Sequence, residues 1–441
     1  MKYFEIASHE YKAMQSASKI GNYYNSDFYT DYPRKSVVLP MGRTIENTLV
    51  FDNWISKTVN RYASASAGKN ASVELSDSGI QLALEEWHDS ISFGSKLTSI
   101  ARYQGLYGFS VVKLILRHAR DEEGLVNVAG KSTEDILKDV DIAVFGADTS
   151  FVRHDEYGNI DSICILVGDR LEVFTNNAIE VYKLNGSRYR LVKTDANPLA
   201  PYPMAFVVNN LLTGSTTSSD VAGIVTLQES LNDALTSLRL VNHYHGFPIY
   251  TATGVQIAYD ESGNTKPLIM GAGMTLQSES DSTKFGRVEM PAITPLKESI
   301  EALTKEIAIS TNSLSLLTGQ IPSGTALGYM LSDFNSAVSE KQLHLKSFML
   351  SFHRTILKLI EYMLGQKTSD IKIKAYVSGH NSLADNTAHA EALELFTAGA
   401  LSLQTLLDNS DCIDSTSEEL SRIAKEKAAN PNASISSLLG V

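Results

Sequence analysis

The stretch from Thr325 to Leu364 is the feature that most restricts what this chain can fold into. It contains no proline and one glycine, Gly328, before Gly365 follows it. Apolar side chains recur along it at helical spacing, at Leu327, Leu331, Phe334, Val338, Leu345, Phe348, Phe352, Leu359 and Met363. A helix of this length would span about 60 Å, whereas the usual helix has about 11–12 residues. Lys341 and Gln342 interrupt the apolar stripe, which indicates a bend or a change of neighbours there.

The composition narrows the class of protein. A chain of 441 residues can bury a sizeable core in two or three packing units. No run of about 18 uncharged apolar residues occurs, so a membrane span is not expected. Charged residues already occur within Met1–Glu5, and the apolar run of a signal peptide is not found there. Cys164 and Cys412 are far apart and indicate neither a disulfide framework nor a zinc site. We therefore expect a soluble protein that is made inside a cell.

The charge of the chain restricts how it could meet nucleic acid. The formal net charge is −12, and the longest basic cluster is Arg34–Lys35. Residues 381–441 contain nine Asp or Glu against three Lys or Arg, so about half of the net charge lies there. A protein that holds DNA by its phosphates needs clustered Lys and Arg. If DNA is a partner, we expect it to be passed along and not held.

Periodicity and turn chemistry predict a mixture of helices and strands. The predicted elements are helices at 47–63, at 80–107, from Asp220 and from Thr294, a buried strand at Val111–Leu116, a loop at 64–72, hairpin turns at His154–Asn159 and Leu184–Ser187, and strands and turns over 248–291. Thr294 and the proline after it are typical of a helix start. The second hairpin turn is of the Asn-Gly type. This mixture predicts an α+β fold.

Motifs that carry chemistry are weak in this sequence. Ala63–Asn70 resembles a phosphate-binding loop, but it lacks the first glycine and ends in asparagine where Ser or Thr would hold magnesium. His243 and His245 have no companion ligand at metal spacing. Asp155–Gly158 and Asp260–Gly263 are interpreted as turns, because neither continues as a calcium loop. We predict no catalytic residue, no cofactor and no metal ion.

Several segments, taken in order, resemble the portal-protein family of tailed double-stranded-DNA bacteriophages, of the siphophage type. The segments are Asn22–Asn25, Asn53–Val59, Gly105–Val111, Pro203–Asn210, Leu231–Leu238, Pro322–Leu327, Ala398–Thr405, Asp414 and Glu418–Leu420. Pro322–Leu327 is similar to the Ser-Gly-x-Ala-Leu motif at the head of the family's long helix. The resemblance covers almost the whole chain. It departs from the family at Leu212–Ser219, where a longer charged segment is common, and that boundary stays open.

The resemblance implies an α+β portal fold with a β-rich wing, two stem helices flanking a small α/β clip, a long spine helix of about forty residues and a helical crown. The implied ranges are a wing at 1–219, a stem helix at 220–246, a clip at 247–293, a stem helix at 294–317, a tunnel loop at 318–324, the spine helix and a strand at 325–380, and a crown at 381–441. The tunnel loop would border the DNA channel. Its residues are Thr318, Gly319, Gln320, Ile321, Pro322, Ser323 and Gly324.

The resemblance also implies a function. The chain would be a structural subunit of the portal vertex and not an enzyme. About twelve copies would form a ring by heterologous contacts, through which double-stranded DNA is packaged and ejected without sequence-specific binding. The implied partners are the terminase large subunit, a head–tail adaptor, the major capsid protein and the scaffold, with no membrane. The ring would be assembled in the host cytoplasm and remain in the virion.

Two alternatives stay open from the residues. One is another ring-forming virion protein, such as a head–tail adaptor, which would normally be shorter and lack the helix at Thr325–Leu364. The other is an enzyme without a recognisable motif. The acidic charge and the uncharged residues Gln320–Ser323 fit a channel better, because many phosphate contacts would slow the passage of DNA.

Overall fold

The structure of the chain is a computed structural model that describes residues 2–27, 37–38, 44–45, 50–68, 71–116, 131–213, 216–246, 250–253, 284–287, 292–313, 324–377, 379, 392–408 and 416–429. Helices and antiparallel sheets both contribute to it. The predicted α+β class is therefore confirmed.

The helices include one that is much longer than the others. Their bounds are α1 (Ser8–Tyr24), α2 (Trp54–Ala67), α3 (Ser78–Ser90), α4 (Phe93–Tyr107), α5 (Thr133–Lys138), α6 (Val225–Gly246), α7 (Thr294–Ser310), α8 (Gly324–Leu364), α9 (392–397), α10 (Leu403–Asp408) and α11 (Thr416–Ala429). Helix α8 has 41 residues, which confirms the long helix that was predicted from the lack of proline. It ends at Leu364, and the next residue, Gly365, has a left-handed φ of 68° that favours glycine.

The strands form sheets in which every pairing is antiparallel. Their bounds are β1 (Tyr3–Phe4), β2 (Val37–Val38), β3 (Thr44–Ile45), β4 (Ala71–Leu75), β5 (Phe109–Leu116), β6 (Val140–Gly146), β7 (Ser150–His154), β8 (Ile160–Val167), β9 (Arg170–Phe174), β10 (Ala178–Asn185), β11 (Arg188–Ala196), β12 (Ala205–Asn209), β13 (Leu211–Thr213), β14 (Thr216–Ser218), β15 (Tyr250–Thr253), β16 (Lys284–Arg287) and β17 (Ile373–Val377). One sheet has the order β1-β11-β10-β9-β8-β7 and another the order β12-β5-β6. The remaining strands pair as β13–β14, β15–β16, β4–β17 and β2–β3.

The predicted strand and hairpins are confirmed. Strand β5 contains the predicted Val111–Leu116. Gly158 between β7 and β8 and Gly186 between β10 and β11 have φ values of 84° and 67°, as such turns require. Asp155 accepts hydrogen bonds from the backbone N–H groups of Tyr157 and Asn159, at 2.9 and 2.8 Å, so its carboxylate closes a turn. Of the predicted strands over 248–291, β15 and β16 are present, and the other residues of that range lie outside the described ones.

Three predicted boundaries are wrong. The helix predicted at 47–63 begins at Trp54, because Val50 exchanges backbone hydrogen bonds with the Thr236 hydroxyl instead of starting a turn. It also continues to Ala67, so the loop predicted at 64–72 is confined to the residues between α2 and β4. The helix predicted from Asp220 begins at Val225, after a 3₁₀ turn at Ala222–Ile224.

The helix predicted at 80–107 is in fact two helices, α3 and α4. The break lies at Ile91 and Ser92, and Ser92 has a left-handed φ of 52°. The chain turns there so that Phe93 stacks on the ring of His88, with centroids 4.4 Å apart. Gly94 lies two residues after Ser92, but the apolar periodicity continues across the break, so the sequence pattern predicted one helix.

The chain divides into two compact units. Unit 1 consists of Met1–Asp31, Trp54–Val225 and Ala308–Val441, and unit 2 of Tyr32–Asn53 and Thr226–Ile307. The main core of unit 1 packs α8 against α3, α4 and the sheet β12-β5-β6. Phe352 of α8 is fully buried there, 5.4 Å from the ring of Phe206 and 6.2 Å from that of Trp87.

Both faces of the six-stranded sheet pack against other elements of unit 1. One face adds Ile163 and Phe174 to the main core. The other carries Leu171 and Tyr182, which form a second cluster with Met14 of α1. The sheet therefore holds α1 on one side and the α8 core on the other.

Unit 2 contains α6, most of α7 and the pairs β2–β3 and β15–β16. Residues 50–53 are tied to α6 within this unit. Gln228 Nε2 donates to the carbonyl of Asp52 at 2.7 Å, and Thr236 Oγ1 accepts from the N–H of Val50 at 3.1 Å. Gln228 and Asn232 are buried, and Gln228 Nε2 donates to Asn232 Oδ1 at 2.8 Å, so these two buried polar atoms are paired inside the unit.

Candidate functional site around Lys341

The described residues include the segments on either side of the predicted tunnel loop but only one residue of the loop itself. Thr318, Gly319, Gln320, Ile321, Pro322 and Ser323 lie outside the described residues. Gly324 is the first residue of α8, whereas the sequence had placed it in the loop. Helix α7 ends at Ser310, and Thr311–Ser313 lead toward the loop. The structure therefore shows the surroundings of the predicted loop through the residues that contact Thr311–Ser313 on one side and α8 on the other.

Helix α2 holds Thr311–Ser313 by three hydrogen bonds from adjacent side chains. Arg61 Nη1 donates to the Asn312 carbonyl at 3.1 Å and to Ser313 Oγ at 3.0 Å. The Tyr62 hydroxyl donates to the Thr311 carbonyl at 3.4 Å. Asn312 has a left-handed φ of 52°, and its amide donates to the Tyr62 hydroxyl at 3.2 Å. These bonds tie Thr311–Ser313 to α2 where the chain approaches the predicted loop.

The same two α2 side chains also contact α8. The Arg61 guanidinium lies 4.0 Å from the ring centroid of Phe334, and the Tyr62 ring lies 4.8 Å from it. A guanidinium at this distance over an aromatic face is attracted by the ring quadrupole. Burial lowers the pKa of Arg61 from its ordinary value, but it stays charged at any pH of interest. Helix α8 is therefore joined to Thr311–Ser313 through α2.

Lys341 of α8 forms a buried ion pair with Asp220. Its ammonium lies 2.7 and 2.8 Å from the two carboxylate oxygens, and the two side chains are 2% and 6% exposed. Lys341 also donates to Asn210 Oδ1. The ammonium lies 5.1 Å from the ring centroid of Tyr62, so its charge faces the ring of α2.

Every donor of the buried ammonium finds a partner. An ammonium carries three N–H groups, and two carboxylate oxygens and one amide oxygen accept from Lys341. The amide of Asn210 in turn donates to Asp220 Oδ1 and to the Ser218 carbonyl, both at 2.8 Å. Burial lowers the pKa of Lys341 from its ordinary value, and the charge of Asp220 opposes that shift. The charged form is held by its partners.

The backbone around Asp220 is held by the end of α4. The N–H of Asp220 donates to the Gly105 carbonyl at 2.9 Å, and Ser219 Oγ donates to the Leu106 carbonyl at 2.7 Å. A Cβ on Gly105 would lie 2.6 Å from Asp220 Oδ2, closer than real contacts allow. Glycine at this position is therefore what lets the carboxylate lie against α4.

These residues form one continuous group, which we call the junction cluster. Its members are Arg61, Tyr62, Asn210, Asp220, Asn312 and Lys341. Asp220 precedes Val225, the last residue of unit 1 before the chain passes into unit 2, and Asn312 follows Ala308, the first residue after its return. Within unit 1 the cluster therefore holds the chain near both crossings.

The sequence did not reveal this cluster. Lys341 was interpreted as an interruption of the apolar stripe, yet it is buried among the stripe's own residues. Its position carried the signal, because it lies three residues after Val338 and four before Leu345, in the apolar phase of the helix. A charged residue in that phase indicates a buried partner, although the partner itself could not be identified.

The described residues contain no group of three or more His, Cys, Asp or Glu side chains arranged to hold a metal ion. Among the same residues, no helix is long and apolar enough to cross a membrane. The side chains of His243 and His245 lie outside the described part of the chain. Ala63–Ala67 of the phosphate-loop-like motif is the last turn of α2, so the flexible loop expected there is wrong.

The described residues combine an α+β fold, a 41-residue helix and a cluster of buried side chains that pair with one another. The model of a protein family described as phage portal protein, SPP1 Gp6-like, matches residues 4–432, and the chain therefore belongs to the phage portal protein family. It is a structural subunit of the portal vertex of the virion. The resemblance seen in the sequence is confirmed, and the family match favours a portal subunit over a head–tail adaptor or an enzyme.

Among solved structures, the chain is similar to the neck of an empty gene transfer agent particle computed with C6 symmetry, with a TM-score of 0.47, 12% identity, and coverage of 81% of this chain and 90% of that one. It is similar to the virion of a native gene transfer agent particle, with a TM-score of 0.47, 11% identity, and coverage of 87% and 96%. No curated protein sequence matches the chain.

Proposed function

We propose that this portal subunit forms a closed ring of about twelve copies by heterologous contacts, and that double-stranded DNA passes through the ring during packaging and ejection. The single observation that carries the proposal is the family match over residues 4–432. The net charge of −12 supports a channel that does not hold DNA, because phosphate contacts would have to be broken at each step.

We also propose the division into wing, stem, clip, tunnel loop, spine and crown. The separate unit formed by Tyr32–Asn53 and Thr226–Ile307 supports it, since it contains most of the ranges proposed for the stem helices and the clip. Residues 32–53 belong to that unit, so we assign them to the stem and clip and no longer to the wing. Helix α8 is the spine, and residues 318–323, which precede Gly324 at the start of α8, are the tunnel loop.

The proposed partners follow from the family. The ring docks the terminase large subunit during packaging and a head–tail adaptor afterwards, and it contacts the major capsid protein and the scaffold. It is assembled in the host cytoplasm. DNA contacts are not sequence-specific, which agrees with the absence of a basic cluster longer than Arg34–Lys35 in the sequence.

The tunnel loop is tested by adding charge to it. Replacing Gln320 and Ile321 with Lys should leave rings intact but reduce the length of DNA packaged in a given time, because two cations per subunit at a constriction would bind phosphates. The measurement is nuclease-protected DNA per capsid over time. The control is Asn185→Lys with Ser187→Lys, which adds the same charge to the exposed turn between β10 and β11. Wild-type packaging rates in the loop variant would contradict its placement at the constriction.

A further inference from the structure

Burying the Lys341–Asp220 pair in the core has a large desolvation cost. Moving two charges out of water costs several kcal/mol per ion, and a buried pair often contributes no more stability than apolar side chains of similar volume. The surroundings show that such side chains would suit the position, because Val338 and Leu345 lie in the same stripe and are buried. Stability alone therefore does not explain why this position holds an ion pair.

What a buried ion pair does provide is a single geometry. Apolar attraction has no preferred direction, whereas the Lys341 ammonium keeps its hydrogen bonds only at one position relative to Asp220 and Asn210. Lys341 belongs to α8, Asn210 lies between β12 and β13, and Asp220 lies in the segment before α6. The pair therefore specifies how α8 lies against residues 205–224, all within unit 1.

Ring closure makes a fixed geometry necessary. In a cyclic ring each subunit turns the next by a constant angle, and rings of twelve and thirteen copies differ by only about 2° per subunit. A protomer with two nearly equal internal packings would therefore close into rings of different size. A device that selects one packing also selects one subunit number.

We propose that Asp220, Lys341 and Asn210 form a registry lock that fixes the packing of α8 against residues 205–224 and so keeps the number of subunits in the ring constant. The inference rests on the proposed ring. It assigns to these residues a role in assembly fidelity that is separate from folding stability.

The first test uses two glycines of the same helix, α4. Gly105→Ala places a Cβ 2.6 Å from Asp220 Oδ2 and must displace the carboxylate, whereas the Cβ of Gly94→Ala meets nothing within 4 Å. Neither substitution changes a charge, and alanine favours helix over glycine. We expect Gly94→Ala to give rings of the wild-type count and Gly105→Ala to give a mixture of counts, measured by native mass spectrometry and electron microscopy. A single wild-type count for Gly105→Ala would overturn the lock.

The second test removes the lock without leaving a lone charge. Asp220→Leu combined with Lys341→Met should keep the melting temperature within about 5 °C of the wild type while broadening the subunit count. The control is Asp370→Leu with Lys367→Met, which removes an exposed pair at 3.3 Å near the end of α8. Loss of cooperative unfolding in the lock variant would mean that the pair serves folding itself, and this would overturn the proposal, as would an unchanged single count.

A third readout separates failure of the lock from failure of the ring. The amide of Asp220 is bonded to the Gly105 carbonyl, so its hydrogen exchange reports whether the segment is fixed. In the protein at any oligomeric state, we expect faster exchange of residues 219–224 in Gly105→Ala than in Gly94→Ala. If the wild type forms no ring, the proposed function fails, yet equal exchange in the two variants would still refute the lock.

Discussion

Lys341 carries a charge inside the core, where 2% of its side chain is exposed. The buried charge is stabilised by partners that are distant in sequence. Asp220 lies 121 residues away from it. Removing one partner leaves the other buried without compensation, which costs more than the pair contributes. At the scale of single residues the fold is therefore most sensitive where polar groups are buried and fully satisfied.

Asp220→Asn should lower the free energy of unfolding by about 3–5 kcal/mol, because it leaves the Lys341 ammonium unpaired in the core. The exposed Asp370→Asn on the pair with Lys367 should change it by less than about 1 kcal/mol. Urea unfolding of the purified variants measures both values. Equal, small effects of the two substitutions would show that the Lys341 ammonium is not confined as described.

The buried His353 pairs with the half-buried His88, and their Nε2 atoms lie 2.9 Å apart. His353 Nδ1 lies 2.7 Å from the Met349 carbonyl, which assigns the proton to Nδ1, so His353 Nε2 accepts from His88. Burial lowers the pKa of His353 to about 4, and burial together with His353 lowers the pKa of His88 well below its ordinary value. Both rings are neutral in the folded protein at neutral pH.

The two lowered pKa values predict acid sensitivity. The stabilisation that comes from keeping these histidines neutral is fully present above pH 6.5, their ordinary pKa, and is lost as the pH falls toward 4. In that range the unfolded chain binds protons that the folded chain does not. His353 alone should account for a loss of about 3 kcal/mol at pH 4. Denaturant unfolding across this range measures the slope. His88→Phe should lower the number of protons taken up on unfolding by about one, whereas the exposed His154→Gln should leave it unchanged. An unchanged slope in His88→Phe would contradict the assignment.

At the scale of elements, α8 shows which features are local. Its length follows from the absence of proline and from apolar spacing, and both hairpin turns follow from glycine, so the sequence was sufficient for them. The break between α3 and α4 depends on Phe93 stacking on His88, and the start of α2 depends on Val50 bonding to Thr236. Such tertiary contacts override local propensity and leave no local pattern.

The same reasoning applies to the candidate site. The tunnel loop was predicted by resemblance, and it stays a prediction because its residues 318–323 lie outside the described ones. The junction cluster was not predicted, since α2, α4 and the segments before α6 and after α7 come together only in the fold. The charge at Lys341 was visible in the sequence, but its partner was not.

Phe352→Asp should abolish cooperative folding or ring assembly. Its ring is fully buried in the main core, where a carboxylate would find no compensating partner. Leu343→Asp on the same helix is the control, because Leu343 is 67% exposed. Circular dichroism melting of the two variants measures the difference. Cooperative melting of Phe352→Asp at the wild-type temperature would contradict the packing of α8.

At the scale of the whole molecule, the family match and the two compact units together describe a portal protomer. Unit 1 contains the long helix and both large sheets, and the chain leaves and re-enters it beside the junction cluster. A protomer of this kind must meet two different neighbours through two different faces if its ring is to close.

The central claim is that the chain forms a closed ring. Counting the subunits in electron micrographs of the purified protein tests it most directly, over a wide range of protein concentration. The account predicts closed rings of about twelve copies with an open central channel. A monodisperse monomer or dimer at every concentration would contradict it.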